Sequence, residues 1–132
     1  MWGKVKIDAA DTAFSRYIRL RDGKCVAPGC PMRGGGPEGI HGLDASHFWS
    51  RRNESTRYDE KNVDALCRRH HQLWGGDYRE AYIAFKKKQL GEEGYKRLMV
   101  RAHSIQKKDR KMSLIIARAL LKDLLERRKL SP

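Results

Sequence analysis

No apolar run in this 132-residue sequence approaches the roughly 18 residues that a membrane-spanning helix needs, so a spanning segment is not expected. The opening residues, Met1-Trp2-Gly3-Lys4-Val5-Lys6, lack the apolar stretch of a secretory signal, and a cytoplasmic protein is expected. Cysteine is scarce, three residues in all, and the count is odd. That excludes a disulfide framework and suits thiolates in a reducing cytosol. Aromatic residues make up only 8%, and mean hydropathy is −0.78, so the core must be thin and the surface strongly polar. There is no internal repeat and no low-complexity tract. The glycine-rich stretch from Arg33 to Gly39 has no pattern that would cradle a phosphate and reads as a loop.

What the chain does have is positive charge: 29 Lys and Arg against 16 Asp and Glu, a net +13. The bland reading of each basic side chain is a solvated helical face. The summed excess favours a polyanionic partner through phosphate contacts and counterion release. It is also uneven, since residues 77–132 hold 16 basic and 7 acidic residues, against 13 and 9 in residues 1–76.

Two regions are legible. Residues 1–76 begin with a short helix from Asp8 to Arg21, with a capping signal at Asp11-Thr12 and Phe14, Tyr17 and Ile18 at helical spacing. From Cys25 to Gly76 the chain is dense in Gly, Pro, Cys, His and Arg and reads as loops and short strands, with a strand from Leu43 to Trp49. Residues 77–132 are helical. Tyr78, Ala81, Tyr82 and Phe85 share one face, and Tyr95, Leu98, Met99 and Ala102 another, with Gly91 and Gly94 between them. The last helix carries Ile115, Ile116, Ala119, Leu120, Leu124 and Leu125. This basic extension is expected to pack on the N-terminal part or to pair with a second copy.

Cysteine and histidine spacing supplies the first functional signal. Cys25-x4-Cys30 lies on a turn through Ala27-Pro28-Gly29, and Cys67-x2-His70 forms a second short pair. Two such pairs can converge on one tetrahedral ion with soft sulfur and nitrogen donors, which suits zinc. The fourth ligand stays open at this point among His70, the adjacent His71 and His41.

The second signal lies between those pairs, in Asp44-Ala45-Ser46-His47-Phe48-Trp49-Ser50-Arg51-Arg52 and Asn62 to His71. Phosphodiester hydrolysis needs a base for water, a cation to stabilise the charge that develops, and cationic side chains on the phosphate. Imidazole and guanidinium suit these tasks. His47, Asn62 and His71 stand at the spacing of the HNH motif, and Asn62 to His71 follows the pattern N-[apolar]-x-x-[LA]-C-x-x-[CH]-[HN]. From Phe14 to Trp74 the chain resembles the HNH (ββα-metal) endonuclease family, and within it the phage NinG (Rap) recombination nucleases, through Ala45-Ser46-His47-Phe48-x-Ser50-Arg51 and Thr56-Arg57-Tyr58-Asp59-x-x-Asn62.

The resemblance implies an α+β fold: a two-stranded antiparallel hairpin packed on a helix, a zinc knuckle at its base, and flanking helices. It implies His47 as general base, Asn62 as the residue that holds the loop and orients His47, and His71 as ligand to a catalytic Mg2+ or Mn2+. It also implies Cys25, Cys30, Cys67 and His70 as the structural zinc set. Two positions depart from the pattern. Ser46 stands where many relatives have an acidic metal ligand, for which Asp44 is the nearest substitute, and His70 stands where many have Cys. Arg51, Arg52 and Arg57 are candidates for DNA phosphate contact: a phosphate clamp is expected of one of Arg51 and Arg52 and an exposed salt bridge of the other, and Arg57 is similar, with Asp59 a possible partner. Trp49 and Trp74 suit packing of a thin core better than base stacking.

The expected function is therefore hydrolysis of DNA phosphodiester bonds in the cytoplasm, that of a bacterial host if the chain is phage-encoded, with branched recombination intermediates as a candidate substrate. A zinc-stabilised DNA-binding module without catalysis is the alternative, and a basic scaffold that binds a protein through its last helix is a third reading.

Overall fold

The computed structural model describes residues 6–105 and 109–130. Among these the chain is α+β, with four α-helices and one two-stranded antiparallel sheet. Helix α1 runs Ala9–Asp22, and its start is reciprocal: the Asp8 carboxylate accepts from the Asp11 amide at 3.0 Å, and the Asp11 carboxylate accepts from the Asp8 amide at 2.9 Å. Such a box satisfies two amide donors that the first turn would otherwise leave open. The cap is thus Asp8, three residues before the position expected from the sequence, and Asp11 serves as the third helical residue. At the other end Gly23 adopts a left-handed φ of 66° and donates its amide to Arg19 O at 2.8 Å. Between these stops Phe14, Tyr17 and Ile18 are buried.

Strands β1 (Leu43–His47) and β2 (Val63–Cys67) pair antiparallel, with Leu43 opposite Cys67 and His47 opposite Val63. β1 stops at His47, two residues short of the expected Trp49. The reason is local: both backbone groups of Trp49 are taken by the Asn62 side chain instead of a strand partner. All five β2 residues are buried. A hairpin of this size is marginal alone; here α1 packs on both strands, and helix α2 (Arg68–Gly75) follows β2 without a loop and packs back on it.

Helix α3 (Arg79–Ala102) is broken at Gly91, whose φ of 73° and ψ of 168° no helix contains. The expected apolar face is only partly right, because Tyr78 and Met99 are exposed while Lys86 is fully buried. Lys86 is there for a reason that lies 22 residues back along the chain: its ammonium sits 2.8 Å from the Asp64 carboxylate, which is also fully buried. Tyr82 OH and Gln89 Nε2 complete the shell of Asp64 at 2.9 and 3.0 Å. Removing either charge alone would leave the other stranded, which makes this pair a locking device between α3 and the hairpin.

Helix α4 (Arg110–Leu130) docks on α1. The contact centres on Ala117, fully buried, with Leu120, Leu121 and Leu124 half-buried beside it. Ile115 and Ile116, expected inside, are exposed, and the buried face is instead the one that carries Ala117. α3 and α4 contribute Tyr82, Leu98 and Ala117 to the same core as α1 and the hairpin. No helix among the described residues is long and apolar enough to cross a membrane.

Candidate metal centre and adjoining cleft

Cys25, Cys30, Cys67 and His70 come together at the base of the hairpin, their ligand atoms all within 4.8 Å of one another. Each is placed by backbone geometry. The turn after Cys25 closes through Cys30 N–H to Ala27 O at 3.0 Å and Cys25 N–H to Met32 O at 2.9 Å. Cys67 is the last residue of β2 and also the N-cap of α2, where its sulfur accepts from the His70 amide at 3.5 Å. His70 Nδ1 lies 3.3 Å from Cys67 Sγ and 3.6 Å from Cys25 Sγ. Burial pushes the Cys25 thiol up to about 11. Burial acts the same way on Cys67, but hydrogen bonding from the His70 amide and the two neighbouring thiols outweighs it and moves this thiol down. All three cysteines are free of disulfides, and the four side chains could hold a metal ion. Of the open choices for the fourth ligand, His41 is exposed on the loop and stands outside the cluster, and His71 turns elsewhere.

His71 turns into a second feature, an open cleft of about 600 Å3 between α1, β1 and the start of α2. Asp44, His47, Arg51, Arg68 and His71 all line it. Asp44 Oδ2 is 3.0 Å from His71 Nδ1 and 3.3 Å from Arg68 Nε. Arg68, which carried no role in the sequence reading, is thus a neighbour of the carboxylate, and only its place beside the Cys67 turn hinted at this.

Among the described residues the His47 side chain makes one hydrogen bond, and its direction is clear. Its Nε2 lies 2.9 Å from the carbonyl of Arg57, and a carbonyl can only accept, so Nε2 carries the proton. Nδ1 is then the nitrogen with the lone pair, and it has no hydrogen-bond partner among the described residues. Burial and the nearby Arg51 charge outweigh the pull of the carbonyl and hold the His47 pKa down at about 4. The Arg57 carbonyl is placed in turn by Asn62, fully buried, whose amide donates to Trp49 O at 2.9 Å and Thr56 O at 3.0 Å and accepts from Trp49 N–H at 2.8 Å. Asn62 therefore closes the 49–62 loop and touches no metal-ligand candidate.

Ser46 is not among the residues that line the cleft. It is 4% exposed, and its carbonyl is 3.1 Å from Tyr82 OH. The three arginines separate. Arg51 lines the cleft and is half-buried, whereas Arg52 is exposed and is not among the lining residues. Arg57 is a correction: it is 1% exposed, so it cannot contact DNA. Its Nε donates to Asp11 Oδ1 at 2.8 Å, Nη2 donates to Asp11 Oδ2 and to Lys6 O, and Nη1 lies 3.6 Å from Glu54. The expected partner Asp59 binds Arg101 instead, at 2.6 Å. Burial raises the Asp11 carboxyl, but Arg57 overrides it and holds the pKa down at about 2. The tryptophans pack: Trp74 lies against Tyr82 and Phe85, and Trp49 against Phe48 and His103.

Fold and site together define a small α+β protein with a Cys3His cluster able to hold a metal, set beside a cleft lined by histidine, aspartate and arginine. No family model matches the chain, and no curated protein or solved structure gives a match.

Proposed function

We propose that the chain is a metal-dependent nuclease of the HNH type, with zinc in the Cys3His cluster and a divalent cation held by Asp44 and His71. One observation carries the reading. His47 spends its Nε2 proton on the Arg57 carbonyl, which leaves an unprotonated Nδ1 with its lone pair open on a residue that shares its cleft with the Asp44–His71 pair. The element order β1, β2, α2, with His47 ending the first strand and His71 in the first turn of the helix, supports it.

The spacing of the candidate ligands is compatible with both ions. A tetrahedral ion with bonds of about 2.3 Å to sulfur and 2.05 Å to nitrogen sets those ligands roughly 3.6 Å apart; the His70 nitrogen is 3.6 and 3.3 Å from its two sulfur neighbours. An octahedral ion with ligands at about 2.1 Å sets adjacent ones roughly 3.0 Å apart, and Asp44 Oδ2 and His71 Nδ1 are separated by 3.0 Å. A bound Mg2+ or Mn2+ would stabilise charge on the phosphate and the leaving oxygen. His47 Nδ1 accepts the proton of the attacking water, already unprotonated near neutral pH. Arg51 faces the phosphate, and Asn62 keeps the loop that fixes the His47 tautomer.

Zinc-loaded protein should cleave plasmid or branched DNA with Mg2+ or Mn2+, and His47→Ala should lose that cleavage while still binding. Equal cleavage by His47→Ala would sink the mechanism. A second reading, a DNA-binding module without catalysis, draws on Ser46: the position before His47 is buried, carries no carboxylate and does not line the cleft, and Asp44 is shared with Arg68. Binding without cleavage in any metal would select it.

A further inference from the structure

The cleft has a second wall that none of the residues discussed for chemistry belongs to. Thr12, Ser15 and Arg19 of α1, spaced by three and four residues, lie on one helical face and all line it. Arg19 is half-buried; its Nε donates to Ser15 O at 3.2 Å, and its two Nη groups have no acceptor among the described residues. Arg51, on the hairpin side, has no hydrogen-bond or ion-pair partner among the described residues. The acids of the cleft are already satisfied, Asp11 by Arg57 and Asp44 by His71 and Arg68. Positive charge is therefore left uncompensated inside a concavity, from both sides.

We propose that α1 forms half of the nucleic-acid site, with Arg19 gripping a backbone phosphate adjacent to the one beside His47. A guanidinium with both Nη groups open matches two phosphate oxygens at once. The recognition is of backbone and not of bases, because the aromatic residue of the lining, Phe14, is 1% exposed and offers no face for stacking. A sugar-phosphate strand then lies along the cleft, with α1 on one side and β1 and the start of α2 on the other. The inference relies on the nuclease reading only for the identity of the anion.

The test is fluorescence anisotropy of labelled duplex DNA with zinc-loaded protein, without Mg2+ or Mn2+, over a range of KCl. Arg19→Gln should weaken binding equally on unrelated sequences and lower the slope of log affinity against log salt by about one. Arg19→Lys, which keeps the charge, should restore the slope. Ser15→Asp, which leaves Arg19 in place but puts a carboxylate in the same wall, should weaken binding at least as much. Wild-type affinity and slope in both Arg19→Gln and Ser15→Asp would overturn the proposal, even if the wild type cleaves DNA. A reduced slope in Arg19→Gln, with no cleavage by the wild type, would uphold this wall and reject the nuclease.

Discussion

Replacing Arg57 with Met tests the most consequential burial in the molecule. The guanidinium is 1% exposed and bridges α1 to the loop between the strands. Its loss leaves the Asp11 carboxylate, 6% exposed, without a counter-charge, and breaking a buried pair from one side typically costs about 3 to 5 kcal/mol. An independent gauge comes from Asp11 itself. A pKa held at about 2 against 3.8 corresponds to about 2 kcal/mol of native-state preference for the ionised form. Because the folded value lies below the unfolded one, that contribution is complete above pH 3.8 and is lost as pH falls through 2. The assay is urea denaturation at pH 7 of wild type, Arg57→Met, Asp11→Asn and the double variant, all zinc-loaded so that the metal contribution cancels. Arg57→Met should be destabilised by about 2 to 5 kcal/mol, and the double variant by clearly less than the sum of the singles. Additive losses, or a loss below about 1 kcal/mol for Arg57→Met, would refute a coupled buried pair and return Arg57 to the surface.

Metal analysis of purified protein should find about one zinc per chain, and chelation should abolish the cooperative unfolding of the hairpin region, since metal binding and folding are coupled there. Asn62→Ala strands the Trp49 amide and two carbonyls, and should cost about 3 kcal/mol in denaturant unfolding. A loss under 1 kcal/mol would mean water replaces the amide. Nitrogen NMR of His47 should show the proton on Nε2 and a pKa of about 4. Since this is below the unfolded 6.5, His47 favours the folded state fully above pH 6.5, and that contribution declines as pH falls through 4.

Local patterns in the sequence carried further than long-range pairings. The α1 span was readable from its apolar spacing to within a residue at each end, and the four metal-ligand candidates from spacing and resemblance. Both depend on neighbours along the chain. Arg57 misled because its partner, Asp11, lies 46 residues earlier, and no periodicity signals such a match. Lys86 misled in the same way through Asp64. The end of β1 was missed because a side chain, Asn62, replaces the next rung of the ladder. On α4 the apolar stripe was legible but not which of its edges is buried: Ala117 is covered and Ile115 and Ile116 are exposed.

The adjacency of His70 and His71 has a consequence for how this chain can vary in length. Successive helical residues are rotated by about 100°, so one imidazole reaches the cysteines while its neighbour reaches Asp44. A single-residue insertion or deletion between Cys67 and His70 would therefore break both contacts in one event. The tip of the 33–41 excursion, where Pro37 and Glu38 are exposed, has no such double commitment and can absorb a change in length. Indels in natural or randomised variants should accumulate at that tip and be absent from the strand-to-helix junction.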